Sequence, residues 1–303
     1  MQGKKTMREN KGVMWLYIII TTVTAAAATV FNYILNKYYY ETETGLYKAG
    51  INTPYAFVVF MIIGVFLLSF TVFIMDRDYL PKEIKSIPVL TSLTSVISAV
   101  VLVFSTVLFF MVKGNIVYTM STDEVVYKMR YACSIVAIFA ALYYLAVLSG
   151  GKANKKFFAG CSFFPMVWTW IFLMSVYFDR SYQMVSPKMI IKELALMALL
   201  LYQLMETRTL IEKPRPKIYL LVSGVALMFL TPAFLPDVIE LVKKAGSLSL
   251  DDVYSIYGIT MAAYVYTRML GAAFNSGIVK KKKKHRKNDI FDEEPDEEII
   301  EEY

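Results

Sequence analysis

The chain has 303 residues, of which 57% are hydrophobic and 15% aromatic, and its formal net charge is +7. Soluble domains are about 45–50% apolar, so this composition leaves too much apolar side chain for a water-facing surface. The two cysteines and the one histidine, His285 in a lysine run, exclude a disulfide framework and a histidine metal cluster. The charged residues lie between long uncharged runs, which predicts an all-α polytopic membrane helix bundle.

Uncharged runs of the length needed to cross a bilayer recur along the chain. About 20 apolar residues cross a hydrocarbon core of roughly 30 Å, and lipid offers the backbone no hydrogen-bond partner, so each run is predicted to be helical. We predict about eight transmembrane helices within a membrane domain of residues 13–279. In chain order the predicted spans lie near residues 13–35, 55–75, 88–112, 129–150, 157–178, 188–205, 218–235 and 252–274.

The first apolar run has features of a secretory signal, because Lys4, Lys5 and Arg8 precede it and residues 25–27 resemble a cleavage site. Its apolar stretch continues to Leu35, beyond the 7–15 residues typical of a signal peptide. We therefore interpret it as an uncleaved membrane anchor.

Three local features complicate the later spans. Lys192 and Glu193 make the sixth span the least apolar, and Pro165 is predicted to kink the fifth helix or to end its first turn. Residues 237–246 mix apolar and charged side chains after the short seventh run. They predict a separate amphipathic helix on the outer surface.

The distribution of lysine and arginine predicts the orientation. With the N-terminus inside, the loops assigned to the cytoplasm carry about twice as many basic residues as the outer loops. Both termini, residues 1–12 and 280–303, are therefore predicted to be cytoplasmic. The predicted location is a bacterial-type plasma membrane.

Similar landmarks recur in the two halves of the chain. Thr53-Pro54 opens the second span and Ser186-Pro187 opens the sixth, while Asp123-Glu124 precedes the fourth and Asp251-Asp252 the eighth. One interpretation is a 4+4 internal repeat, as in many transporters. The other is that caps and acidic first turns recur by chance, because they suit any helix.

The C-terminal tail, residues 280–303, is basic and then acidic, and it is predicted to be disordered. Its basic residues are predicted to contact anionic lipid head groups, or else only to fix the topology. The acidic part is a candidate binding segment for a protein partner, and nucleic acid is not an expected partner. The predicted lipid-contacting residues are Lys280, Lys281, Lys282, Lys283, Lys284, Arg286 and Lys287.

Charged residues inside spans are the default pointers to function in membrane proteins. Arg130, Lys192 and Glu193 are predicted to form a polar pocket facing outward, and Glu206 with Arg268 an inner ion pair or gate. The alternative is that the cations extend to the interface while the acids make ordinary pairs.

Sequence motifs of enzymes are missing from the whole chain. HExxH, GxSxG, CxxC and GxGxxG do not occur, so we expect neither an enzyme nor a bound metal or cofactor. The sequence favours a non-enzymatic membrane scaffold or interaction protein whose tail contacts lipid or a partner. The alternative is a transporter or channel for a small, largely uncharged solute, because hydroxyl residues reach the interior of several spans.

Overall fold

The computed structural model describes residues 2–41, 44–48, 50, 52–75, 88–119, 124–148, 155–179, 186–211, 215–243 and 248–275. In these ranges the chain forms nine α-helices and no β-strand, which confirms the all-α prediction. In chain order they are α1 (Gln2–Tyr38), α2 (Thr53–Ile74), α3 (Pro88–Thr119), α4 (Glu124–Val147), α5 (Lys155–Cys161), α6 (Phe163–Tyr177), α7 (Pro187–Leu210), α8 (Pro216–Lys243) and α9 (Leu250–Asn275).

Six segments of the described residues are long and apolar enough to cross a bilayer. Their helical backbone bonds most of its own polar groups, as a hydrocarbon environment requires. The protein is therefore a helical membrane bundle. The six segments are Gly12–Tyr38, Thr53–Ile74, Val89–Met111, Glu124–Val147, Phe157–Tyr177 and Pro216–Lys243.

Helices α7 and α9 are 24 and 26 residues long, yet they are not among these six segments. Both carry charged residues near their ends, including Lys192 and Glu206 in α7 and Asp251 and Arg268 in α9. They pack along other helices of the bundle, α7 against α8 and α9 against both α8 and α3. Some of their polar side chains, Glu206 and Arg268 among them, are therefore sheltered by protein, and composition alone does not identify these helices as spans.

Contacts between side chains show that α1 and α8 run in one direction and α9 in the opposite one, which defines two ends of the bundle. Trp15 in α1 packs edge-on against Phe274 in α9, while Tyr33 in α1 accepts a hydrogen bond from Lys243 in α8. We call the end at which α1 begins and α7 and α9 finish the near end, and the opposite end the far end. The near end is the one predicted to be cytoplasmic.

Helix α8 is one continuous helix of 28 residues, although it contains Pro232 and Pro236. A proline lacks the N–H group that would bond the carbonyl four residues earlier, which for Pro236 is the carbonyl of Pro232. The side-chain amide of Asn32 in α1 donates to that carbonyl at 2.7 Å. The prediction of a short seventh span followed by a separate surface helix over residues 237–246 is therefore wrong, because α8 continues to Lys243.

The fifth predicted span is interrupted at Ser162, between α5 and α6. The ring of a proline conflicts with the carbonyl four residues earlier, and four residues before Pro165 is Cys161, the last residue of α5. The Ser162 hydroxyl is within hydrogen-bond distance of the carbonyl of Ala159, at 2.7 Å, and of the Thr207 hydroxyl, at 3.0 Å. The break therefore follows from Pro165 and is stabilised by Ser162.

The core is centred on α8, which packs against α1, α2, α7 and α9. Close approach to α8 requires glycine at two positions. A Cβ atom at Gly258 in α9 would lie 2.3 Å from the ring of Phe234, and one at Gly224 in α8 would lie 2.2 Å from the hydroxyl of Tyr17. That hydroxyl donates to the carbonyl of Leu220. It occupies the space that the Cβ atom of any larger residue at position 224 would need.

The 4+4 repeat stays a prediction. A duplication would make the α2–α3 pair equivalent to the α7–α8 pair. In the described residues α7 and α8 lie along one another, while α2 and α3 do not form a comparable contact. The packing therefore adds no support to the repeat.

Candidate functional site

The charged side chains of the bundle interior gather at its two ends. Arg130 and Lys192 lie at the far end, and Glu206 and Arg268 lie toward the near end. All four were singled out in the sequence, but their partners come from other helices.

At the far end, Arg130 of α4 lies between two carboxylates. Its Nη2 atom is 3.0 Å from Oδ2 of Asp179 and 3.3 Å from Oδ1 of Asp251. Asp179 follows α6, and Asp251 lies in the first turn of α9, where the helix dipole favours negative charge. The start of α9 is fixed by a capping box, because the Asp252 N–H donates to the Ser249 hydroxyl at 3.2 Å and the Ser249 N–H donates to the Asp252 carboxylate at 2.9 Å.

A second group of charges lies beside it between α7 and α8. Lys188 and Lys192 are four residues apart, so they share one face of α7. Their ammonium groups lie 2.8 Å and 2.6 Å from the two oxygens of Asp237 in α8. Because α8 does not end at Pro236, Asp237 is carried into the bundle instead of lying in a surface loop.

These two groups border one cavity of about 40 Å³, which we call the far-end cavity. About 10–15 Å³ suffices for one water molecule, so the space admits a few waters or one small ligand group. Phe172, Phe234 and Tyr254 line it with apolar surface, and Ser255 adds a hydroxyl. Its charged lining residues are Arg130, Asp179, Lys188, Lys192 and Asp251.

Two members of the predicted polar pocket, Arg130 and Lys192, border this cavity, and Glu193 does not. Consecutive residues of an α-helix point about 100° apart, so Glu193 cannot share the direction of Lys192. Sequence reasoning missed Lys188, Asp179 and Asp251 as lining residues, and it missed Asp237 as the partner of the two lysines. The i, i+4 spacing of the two lysines was the one local signal that could have found Lys188.

At the near end, Glu206 of α7 and Arg268 of α9 form an ion pair of 3.0 Å, and only 6% and 11% of their side chains are exposed. The hydroxyl of Tyr264 donates to the same oxygen of Glu206 at 2.8 Å. The Tyr202 and Tyr219 hydroxyls lie 3.2 Å apart, and Tyr202 also packs on Tyr264. The carboxylate therefore has two partners within a group of buried tyrosines, and a role as an inner gate stays a prediction.

A continuous line of aromatic side chains joins the two ends, and we call it the aromatic column. Its ring centroids lie 4.5–6.5 Å apart where rings pack directly, and the Tyr144 and Tyr257 hydroxyls lie 3.2 Å apart. The last two members are also lining residues of the far-end cavity. From the near end to the far end the column comprises Tyr202, Tyr264, Tyr144, Tyr257, Trp168, Phe172 and Tyr254.

Within the part of the chain that the structure describes, no group of three or more histidine, cysteine or acidic side chains could hold a metal ion. Cys133 and Cys161 are free thiols in these ranges. The predicted lipid-contacting residues Lys280, Lys281, Lys282, Lys283, Lys284, Arg286 and Lys287 lie outside the described residues.

Comparison with known proteins gives no relative: no protein family, curated protein or solved structure matches this chain.

Proposed function

We propose that this protein is a non-enzymatic membrane interaction protein, in which a packed bundle of eight crossing helices carries a cytoplasmic tail that contacts lipid and a protein partner. The observation that carries the proposal is the aromatic column. Large buried side chains, among them the fully buried Trp168, fill the middle of the bundle between the two charged ends. Such packing suits a rigid platform.

Contacts at both ends of α7 and α9 support eight crossings. Helix α7 meets α8 through Lys188 and Asp237 at the far end, and through Tyr202 and Tyr219 toward the near end. It therefore runs beside a membrane-length helix for most of that helix's extent. Helix α9 likewise places Asp251 at the far end and Arg268 toward the near end.

The tail supplies the interacting part of the proposal. Seven lysine and arginine residues follow α9 within residues 280–287. Each contributes about 1 kcal/mol of attraction to an anionic surface when it lies close to it. The nine carboxylates of residues 289–302 give a basic partner a complementary segment.

The lipid arm of the test places a fluorophore at the C-terminus of the full chain in nanodiscs. Energy transfer to a head-group acceptor should be higher with anionic than with neutral lipid. Replacing lysines 280–284 by glutamine should remove this difference, while replacing the carboxylates after residue 288 by amides should keep it. Equal transfer in both lipids would contradict lipid contact.

The partner arm uses cross-linking in native membranes. A chain ending at residue 279 should lose the proteins that cross-link to the full chain, and the amide variant should lose those that need the acidic segment. If both variants cross-link to the same proteins as the full chain, the proposal that the tail binds a protein partner is contradicted.

A second candidate function is a carrier or channel for a small, largely uncharged solute, and the far-end cavity is the observation that favours it. In that case the Glu206–Arg268 pair would have to separate to open the near end. Uptake into proteoliposomes distinguishes the two functions. If a broad panel of solutes shows no uptake and no saturable binding, the carrier function is excluded.

A further inference from the structure

Two lysines at the far end meet at one tyrosine on the outside of the bundle. The ammonium group of Lys243, at the end of α8, donates a hydrogen bond to the Tyr33 hydroxyl of α1 at 2.7 Å. The ammonium group of Lys37, in the last turn of α1, lies 6.0 Å from the centre of the Tyr33 ring, and that of Lys243 lies 5.2 Å from it. We call Tyr33, Lys37 and Lys243 the Tyr33 site.

The two lysines of the Tyr33 site have no carboxylate of their own. Among the described residues neither of them forms an ion pair, whereas Lys128 at the same end pairs with Glu124 at 2.6 Å. Glu240, three residues before Lys243, is close enough to act electrostatically on the Tyr33 hydroxyl, but it is not within ion-pair distance of either lysine. Both lysines are exposed, so their charges are open to a partner from outside the chain.

The Tyr33 site lies at a boundary of the membrane. The membrane-length segments Gly12–Tyr38 and Pro216–Lys243 both end beside it, at the depth where lipid head groups begin. Deeper in the membrane, the face of α1 that carries Lys37 also carries Ile34 and Val30, three and seven residues earlier. These two side chains are 40% and 59% exposed. A phosphate group held by the lysines would therefore have apolar surface for acyl chains directly next to it.

We infer that the Tyr33 site binds the phosphate group of an anionic phospholipid in the leaflet at the far end, with an acyl chain along Ile34 and Val30. Both ammonium groups lie within 6.0 Å of the centre of one ring, and lysine stems are flexible, so both can reach one phosphate group. The hydrogen bond to Tyr33 keeps the Lys243 ammonium at this position. The inference goes beyond the proposed function, because the tail follows the near end of α9.

Other partners match only part of the site. A zwitterionic lipid such as phosphatidylcholine brings a cation with its phosphate group, and the two ammonium groups repel that cation. A soluble phosphate compound gains nothing from the exposed apolar face of α1. Lysines in the last turn of a helix also complement its dipole and can extend to the interface without binding a lipid. An anionic phospholipid is the partner that complements the charge and the apolar surface together.

The test uses the full chain in phosphatidylcholine nanodiscs that contain a small fraction of photoreactive phosphatidylglycerol, with the diazirine in an acyl chain near the glycerol. Mass spectrometry then locates the labelled peptides. We expect saturable labelling within residues 30–38, and weaker labelling there by phosphatidylcholine and phosphatidylethanolamine analogues with the same chains. Equal or stronger labelling by either zwitterionic lipid, or full competition by soluble glycerol phosphate, would overturn the inference.

Variants of the lysines assign the label to the site. Lys243→Gln should weaken the apparent affinity for phosphatidylglycerol roughly fivefold, and its combination with Lys37→Gln should weaken it about thirtyfold, because each lysine adds to the attraction. Lys128→Gln, an exposed lysine at the same end that is paired with Glu124, is the matched control and should leave labelling unchanged.

The three substituted lysines are exposed, so we expect every variant to fold. Melting temperatures test the structural alternative. If the double variant melts lower in every lipid while its labelling is unchanged, the lysines only complement the ends of the helices, and the inference is overturned.

Substitutions in the tail keep this inference separate from the proposed function. Replacing lysines 280–284 by glutamine should leave the labelling of residues 30–38 unchanged. The double variant of Lys37 and Lys243 should, in turn, leave energy transfer from the fluorophore at the C-terminus unchanged. Loss of labelling at residues 30–38 in the tail variant would contradict a separate site at the far end.

Discussion

At the near end, Glu206 and Arg268 lie among tyrosine side chains, with only 6% and 11% of their side chains exposed. At the far end, charged groups surround a cavity, and the Asp251 side chain is 44% exposed. Both ends contain carboxylates bonded to cations at about 3 Å, yet their surroundings differ. The comparison indicates that the near-end pair is enclosed by other side chains, whereas the far-end groups border a cavity and are partly accessible.

The largest expected effect comes from breaking the near-end pair. Arg268→Met leaves the Glu206 carboxylate buried without its cation, which should cost about 3–5 kcal/mol of stability. Replacing both residues by methionine removes the buried charges together and should cost much less. Thermal unfolding of the purified protein in detergent measures both. Equal losses in the single and double variants would show that the pair is not the source of the effect.

A smaller effect is expected from the hydroxyl beside that pair. Tyr264→Phe removes a hydrogen bond to a charged carboxylate, which is worth about 1.5–3 kcal/mol. Tyr266→Phe on the same helix is the matched control, because among the described residues its hydroxyl makes one long, exposed contact, with Thr22 at 3.4 Å. A similar decrease in melting temperature for both variants would mean that Glu206 does not need Tyr264.

The smallest effect is expected at the far end. Asp237→Asn weakens two ion pairs, but Lys188 and Lys192 are partly exposed and can turn their ammonium groups toward water. We expect a loss of up to about 1 kcal/mol that shrinks at high salt, because partly exposed pairs are screened. The cost of Arg268→Met should change little with salt. An Asp237→Asn effect that is large and independent of salt would remove the contrast between the two ends.

The sequence predicts those parts of the fold that the bilayer imposes locally. Hydrocarbon requires long uncharged helical runs, so six membrane-length segments follow from run length alone. The Ser249 cap and the acidic first turn of α9 are local as well, and the structure contains both.

The rest depends on contacts between residues that are distant in sequence. In the sequence, Asp179 and Asp237 look like loop residues, and only the packing of α4 and α7 brings cations to them. The donor for the Pro232 carbonyl is Asn32, 200 residues earlier. Local pattern carries no information on such pairs. In α7 and α9, the charged residues that form ion pairs at the two ends also lower the mean hydropathy by which a membrane span is recognised.

The hydrogen bond between Asn32 and Pro232 has a consequence for how the bundle assembles. A chain enters the bilayer from its N-terminal side, so α1 is in place long before α8 arrives. Alone in hydrocarbon, α8 would expose the Pro232 carbonyl that Pro236 leaves without a donor, at a cost of about 1–3 kcal/mol. The amide of Asn32 supplies that donor from α1. The backbone of α8, one of the last helices to enter the bilayer, therefore obtains this hydrogen bond from α1, the first.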